Sequence, residues 1–148
     1  MEWHAHVTVA TIVEHEGRFL FVEELKGGRL VLNQPAGHLE ARESLQQAAI
    51  RETLEETGCD VELTGVTGIY LYTAPSNGVT YQRTCFTANL IAHHPGLALD
   101  TDISGIRWLT YQELQAERQN LRSELVMRCL EDYLAGDRYP LNLIREPM

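Results

Sequence analysis

The stretch GHLEARESLQQAAIRETLEETGC, residues 37–59, decides how the rest of the chain is read. Ser44 and Gln47 stand at capping-box spacing, so a helix is expected to begin just after Ser44. Gly58 is the expected stop, because glycine takes the left-handed cap conformation without steric penalty. At about 100° per residue, Leu45, Ala48 and Ala49 share a face with Glu52, Glu55 and Glu56, while Ile50 and Leu54 point the opposite way. The pattern predicts a helix buried on two sides, apolar at its start and acidic at its end.

That acidic end breaks two local rules. Glu55 and Glu56 fall in the last turn, where the helix dipole favours cations and an anion loses about 0.3–1 kcal/mol. Glu52, Glu55 and Glu56 also stand at i, i+3 and i+4, with Cβ atoms roughly 5–6 Å apart. Two unit charges 5 Å apart at an effective dielectric of 20 repel by roughly 3 kcal/mol. Local rules tend to fail at functional sites. A hard divalent cation would turn the repulsion into ligation, since Mg²⁺ prefers carboxylate oxygens. An isolated ExxEE is equally what a solvated acidic helix edge looks like, so the neighbours matter.

Gly37, Glu43, Arg51, Glu52, Glu55, Glu56 and Gly58 fall on the pattern G-x5-E-x7-R-E-x-x-E-E-x-G, and the stretch resembles the Nudix box. Thr53 and Cys59 depart from it, standing where that family usually has bulky aliphatics, and QPAG (34–37) replaces the commoner PGG. Neither change removes a carboxylate.

The resemblance implies an α/β/α sandwich built on a mixed β-sheet, filling residues 1–148 as a single domain. It implies hydrolysis of a nucleoside diphosphate linked to another moiety, or a similar phosphoanhydride, with Mg²⁺ or Mn²⁺. On that basis Glu52, Glu55 and Glu56 are the expected metal ligands, joined by the backbone carbonyl of Ala36. Glu52 is the first choice for the proton acceptor. Asp102, in the loop before a later strand, is its competitor, although it could simply cap a turn. Glu43 and Arg51 are expected to pair and steady the junction between loop and helix, next to Gly37. HVTVA (6–10), NQPAGHLE (33–40), NLRS (120–123) and GDRYPL (136–141) further resemble the NudJ-type phosphatase subgroup of that family. This implies a small monomeric enzyme acting on nucleoside tri- and diphosphates. It also implies action on thiamine-pathway pyrophosphates, such as hydroxymethylpyrimidine pyrophosphate and thiamine pyrophosphate, with release of phosphate.

Composition sets outer limits. A net charge of −9 with 12 basic residues argues against nucleic-acid polymers, which need a basic footprint. A phosphorylated small molecule meets a repulsive overall field, so the site must supply positive charge locally. The three cysteines are widely spaced and form no CxxC, which fits reduced thiols in a cytoplasmic protein. No signal peptide is evident and no apolar run approaches ~18 residues, so neither export nor membrane spanning is expected.

In order, strands are predicted over His6–Val13, Arg18–Glu23, Arg29–Leu32, Val61–Tyr72, Val79–Ile91 and Ile103–Leu109. Ser76-Asn77-Gly78 is a hairpin turn, and Thr110 with Glu113 is a second capping box opening a short helix over Tyr111–Glu117. Ser123 is the expected cap of a last helix, stopped by Gly136, and the tail from Asp137 to Met148 carries no predicted element.

Arg29, Arg83 and Arg122 are candidate phosphate contacts, against the plainer reading of surface ion pairs. Tyr72, with Tyr70 and Tyr81, could stack on a base or pyrimidine ring, or could be cross-strand packing. His4, His6 and His38 could touch phosphate, though HxH on a strand also suits a solvated face. Two readings without catalysis stand beside the enzyme. A sensor module would bind nucleotide without product, and a scaffold would show no thermal shift with nucleotide and Mg²⁺.

Overall fold

The computed structural model describes residues 2–147. The strands are β1 (His6–His15), β2 (Arg18–Lys26), β3 (Arg29–Asn33), β4 (Ala36–His38), β5 (Cys59–Thr73), β6 (Thr80–His93) and β7 (Ile103–Leu109). The helices are α1 (Leu45–Thr57), α2 (Tyr111–Ala116) and α3 (Glu124–Leu134), with 3-10 turns at Arg118–Asn120 and Leu141–Leu143. The seven strands form one mixed sheet in the order β3-β2-β1-β6-β5, with β4 beside β1 and β7 beside β2. β1 and β6 run parallel from His6↔Tyr81 to Val13↔Ala88, and the other pairings are antiparallel.

The period-2 alternation of β1 builds two cores. Val9 and Val13 pack with Ala48, Ala49, Val61 and Phe86 on the α1 face. Ala10 and Ile12 pack with Phe19, Phe21, Leu125, Met127 and Leu130 on the face covered by α2 and α3. Helix, sheet and helix are therefore stacked in three layers, the α/β/α sandwich that the sequence implies.

α1 starts and stops where its sequence says. Ser44 Oγ accepts from the Gln47 N–H at 3.0 Å, and Gln47 Oε1 accepts from the Ser44 N–H at 2.9 Å. Gly58 closes the helix at φ 73°, and a Cβ there would lie 2.8 Å from the His94 carbonyl oxygen, so shape and conformation both demand glycine. The expected burial on two sides is not found. Ala48, Ala49, Thr53 and Glu56 are buried, whereas Ile50 is 39% exposed. The elements α1 packs on, β1, β4, β5 and β7, are all strands of the one sheet, so a single face of the helix is covered.

The last helix ends at Leu134, with Gly136 at φ 95° directly after the Ala135 cap, as the sequence expects of its stop. Two features have no counterpart in the sequence reading: β4 is a three-residue strand, and the tail is ordered against the sheet. Tyr139 and Val66 exchange both backbone hydrogen bonds, at 2.7 and 2.8 Å, along the outer edge of β5. Leu141 and Ile144 then pack against the α1-side core. Met148 lies outside the described residues.

Candidate active site

β1 changes partner along its length, pairing with β4 from Thr8↔His38 to Ala10↔Ala36 and with β2 only at Glu14↔Phe19 and His15↔Arg18. The sheet parts between these contacts, and the acidic end of α1 faces the gap. The ladder bonds here run from the Thr11 N–H to the Pro35 oxygen and from the Leu39 N–H to the Val7 oxygen. That alternation turns the Ala36 N–H and C=O away from β1. The N–H donates to Glu56 Oε1 at 2.9 Å, so the carbonyl of the same residue faces the same side.

Glu52, Glu56 and Asp100 each offer a carboxylate oxygen, and these oxygens lie within 4.8 Å of one another. Glu56 is only 8% exposed, and burial pushes its carboxyl up to about 8, with the Ala36 N–H opposing and the charges of Glu52, Glu24 and Asp100 adding to the rise. Burial also raises Glu52, against the pull of Arg51, and raises Asp100, helped by the charge of Glu55. Among the described residues neither Glu56 nor Asp100 has an ion-pair partner. Oxygen donors held close together, two of the three without a counter-charge, are what a hard divalent cation needs. The donor set therefore fits Mg²⁺ or Mn²⁺.

Gly37 is part of the same arrangement, because a Cβ on it would run into the Glu52 carboxyl group. Arg51 binds the remaining acids. Its Nε and Nη2 donate to Glu43 at 2.5 and 2.9 Å, its Nη1 to Glu52 at 2.7 Å and Glu55 at 3.1 Å, and its Nη2 also reaches the His38 carbonyl at 3.2 Å. The expected Glu43–Arg51 pair is present, and the guanidinium holds Glu43 below its ordinary value.

A cleft of about 620 Å³ opens beside these carboxylates and is lined by Ala36, Glu52, Glu56, Tyr72, Arg83 and Arg122 among others. The register explains the assembly. His38, Thr8, Arg83 and Tyr70 lie in one row across β4, β1, β6 and β5, and Tyr81 pairs with Tyr72 two residues away. Paired residues share a face, so this row points to the α3 side. Arg122 reaches Glu24 at 3.2 Å, and the His6 and His38 rings meet at 3.2 Å between Nδ1 and Nε2 with Tyr81 edge-on to His6. His4, exposed, stacks on half-buried His6, and neither ring lines the cleft, so HxH sits on the solvated face that the plainer reading expects.

Some predicted residues are not brought together. Glu55 is 40% exposed at its side chain and is tied to Arg51, outside the close cluster. The loop acid in the cluster is Asp100, not Asp102. The Asp100 N–H donates to the Glu55 carbonyl at the end of α1, whereas the Asp102 carbonyl accepts from Leu25 on β2 and its side chain is exposed. Arg29 donates to the Gln119 carbonyl at 2.6 Å and does not line the cleft. Glu24, buried beside Arg122, falls in no motif and was not legible as a site residue, and Gln34, buried beside Arg83, was legible only as part of the QPAG departure.

Residues 2–129 match the family model of the NUDIX domain. The chain is 42% identical over 139 residues to "Phosphatase NudJ" of Escherichia coli strain K12, covering 94% of this chain and 90% of that protein. The same figures hold for Phosphatase NudJ of Shigella flexneri. A solved NUDIX hydrolase from Nitrosomonas europaea superposes with a TM-score of 0.95 at 44% identity, covering 97% of each chain. A MutT NUDIX hydrolase from Burkholderia pseudomallei, at 18% identity and a TM-score of 0.74 over 87% of this chain and 98% of its own, shares the fold.

Proposed function

The chain belongs to the Nudix family of hydrolases, and from that premise we propose a phosphohydrolase that uses Mg²⁺ or Mn²⁺. Its substrates are nucleoside tri- and diphosphates together with pyrophosphates of the thiamine pathway, hydroxymethylpyrimidine pyrophosphate and thiamine pyrophosphate, and it releases phosphate. The observation that carries this reading is the close carboxylate set of Glu52, Glu56 and Asp100, the last two without an ion-pair partner among the described residues, beside a cleft that also holds two arginines.

Glu52, Glu56, Asp100 and the Ala36 carbonyl would hold the cation, with Glu55 close by on the same helix. When bound, the cation supplies charge neutralisation at the phosphates and makes water acidic enough to attack phosphorus near neutral pH. Glu52 is the proton acceptor in this reading, since Arg51 fixes one of its oxygens and Gly37 leaves room for the other. Gly37, Glu43 and Arg51 hold that carboxylate in place. Tyr72 offers a ring face to the organic part of the substrate, and Arg122, oriented by buried Glu24, meets its phosphates. The enzyme works as a cytoplasmic monomer on small molecules. No helix among the described residues is long and apolar enough to cross a membrane.

A panel of nucleotides and thiamine-pathway pyrophosphates with Mg²⁺, scored separately for phosphate and pyrophosphate, tests the proposal. Phosphate release is expected. Absence of turnover across the panel, or full turnover by E56Q at saturating Mg²⁺, would overturn it.

A further inference from the structure

Arg83 is half-buried in the cleft wall and has no carboxylate within ion-pair distance among the described residues. Its Nη1 donates to Gln34 Oε1 at 2.8 Å, and Gln34, only 2% exposed, is itself tied by Nε2 to Cys85 Sγ at 3.7 Å. Gln34 thus fixes one arm of the guanidinium from behind. The Nε–H is buried with no hydrogen-bond partner, and among the described residues Nη2 makes no hydrogen bond within ordinary distance, although the Cys129 thiol lies near enough to feel the guanidinium. Nε and Nη2 make up the side-on edge of a guanidinium, the edge that takes an oxyanion through two parallel bonds. A cation withdrawn from water without a counter-charge is costly, and so is a buried donor left unmade. The neighbouring thiols do not supply a carboxylate. Burial opposes ionisation of Cys129, while Cys85 and Arg83 favour it strongly enough that its thiol lies below the ordinary value.

Resting on the hydrolase reading, we infer that Arg83, oriented by Gln34, is an anion subsite for a second phosphoryl group of the substrate, separate from the phosphoryl group at the carboxylates. Glu52, Glu56 and Arg83 line one cleft, Arg83 lying one strand beyond Thr8 and two beyond His38 in the cross-sheet row. At about 4.8 Å per strand, its Cα is about 10 Å from that of His38. A di- or triphosphate ester can then engage both places at once, and a monophosphate ester only one.

The test is calorimetric titration of the full chain in EDTA with inorganic pyrophosphate and, separately, inorganic phosphate. Wild type is expected to bind pyrophosphate, and R83M to bind it at least tenfold more weakly. Without anion, R83M should melt no lower than wild type, because an uncompensated charge has been replaced by an apolar chain of similar length. Should R83M not fold, Q34E serves as the second variant. Its new carboxylate would occupy Arg83 from behind and is expected to weaken pyrophosphate to the same degree. Equal binding by wild type and either variant would overturn the proposal. So would binding that emerges only in C129A, which would make the Cys129 thiolate the partner of Arg83. Phosphate binding as tightly as pyrophosphate would overturn the substrate assignment in favour of released product. With Mg²⁺, R83M should raise KM for a nucleoside triphosphate at least tenfold while kcat moves less. A failed hydrolase reading would appear as no wild-type turnover at all, whereas the titration in EDTA reads Arg83 regardless.

Discussion

The carboxyl group of Glu52 occupies the space in which a side chain on residue 37 would begin. Gly37 pairs with Val9 in the β4–β1 ladder, so the backbone there cannot simply step aside. G37A should therefore push Glu52 out of the cluster, lowering kcat by about 100-fold or more, the range for a misplaced catalytic group. Its far-UV circular dichroism should match wild type. Turnover within threefold of wild type would show that Glu52 has room to move.

Loss of the α1 carboxylate with no protein counter-charge gives the second prediction. At about 8, Glu56 keeps its proton in the folded metal-free protein well above the ordinary value of 4.5. Between these values the native state binds more protons than the unfolded chain, so stability is highest at the acid end and falls as pH rises toward 8. The slope approaches about 1.4 kcal/mol per pH unit, for a total on the order of 4 kcal/mol. Denaturant melts in EDTA from pH 5 to 8 should show this decline, and E56Q should flatten it. Saturating Mg²⁺ should also flatten it, because a cation favours the ionised form.

Asp100 and Asp102 can be separated directly. D100N should weaken Mg²⁺ binding about tenfold or more, while D102N should stay within twofold of wild type, as measured by calorimetry with Mg²⁺. The opposite order would mean that the loop between β6 and β7 rearranges when the cation binds.

One guanidinium, Arg51, serves Glu43, Glu52 and Glu55 at once. R51A leaves those acids facing each other and should cost about 2–4 kcal/mol in urea unfolding, toward the lower side of values for breaking a buried pair because Arg51 is partly exposed. R51K should recover little, since an ammonium cannot reproduce the fork on Glu43.

Thr53, fully buried, donates to the Ala49 carbonyl at 2.7 Å and shares a 3.1 Å hydrogen bond with Thr11. T53V should cost about 1–2 kcal/mol by orphaning the Thr11 hydroxyl, and the double variant T11V/T53V should recover most of it. A double-mutant cycle in urea measures the coupling; additive losses would mean the two hydroxyls act independently.

The helix at the centre of the molecule was legible because Ser44, Gln47 and Gly58 act through local bonds to their own backbone. The long strands were legible for a related reason, since β-branched runs such as HVTVATIV report half-buried surface directly. β4 was not legible, as three residues carry no period and its pairing depends on where β1 happens to lie. Ile50 misled because an apolar residue on the outer face of α1 looks the same in sequence whether or not a layer covers it. Asp100 and Asp102 differ only in how the loop crosses the end of α1, a matter settled by the bond from Asp100 to the Glu55 carbonyl. Arg83 was visible as a charge, but its lack of any acidic neighbour is a property of the packed chain alone.

The double bond between Tyr139 and Val66 has a practical side. β5 ends the sheet, and Tyr139 blocks part of its otherwise open rim. Ending the protein at Gly136, just past α3, would strip away this cover together with Leu141 and Ile144. The bared strand could then recruit the same strand of another molecule, and the shortened protein should clump on storage while the whole chain stays dispersed.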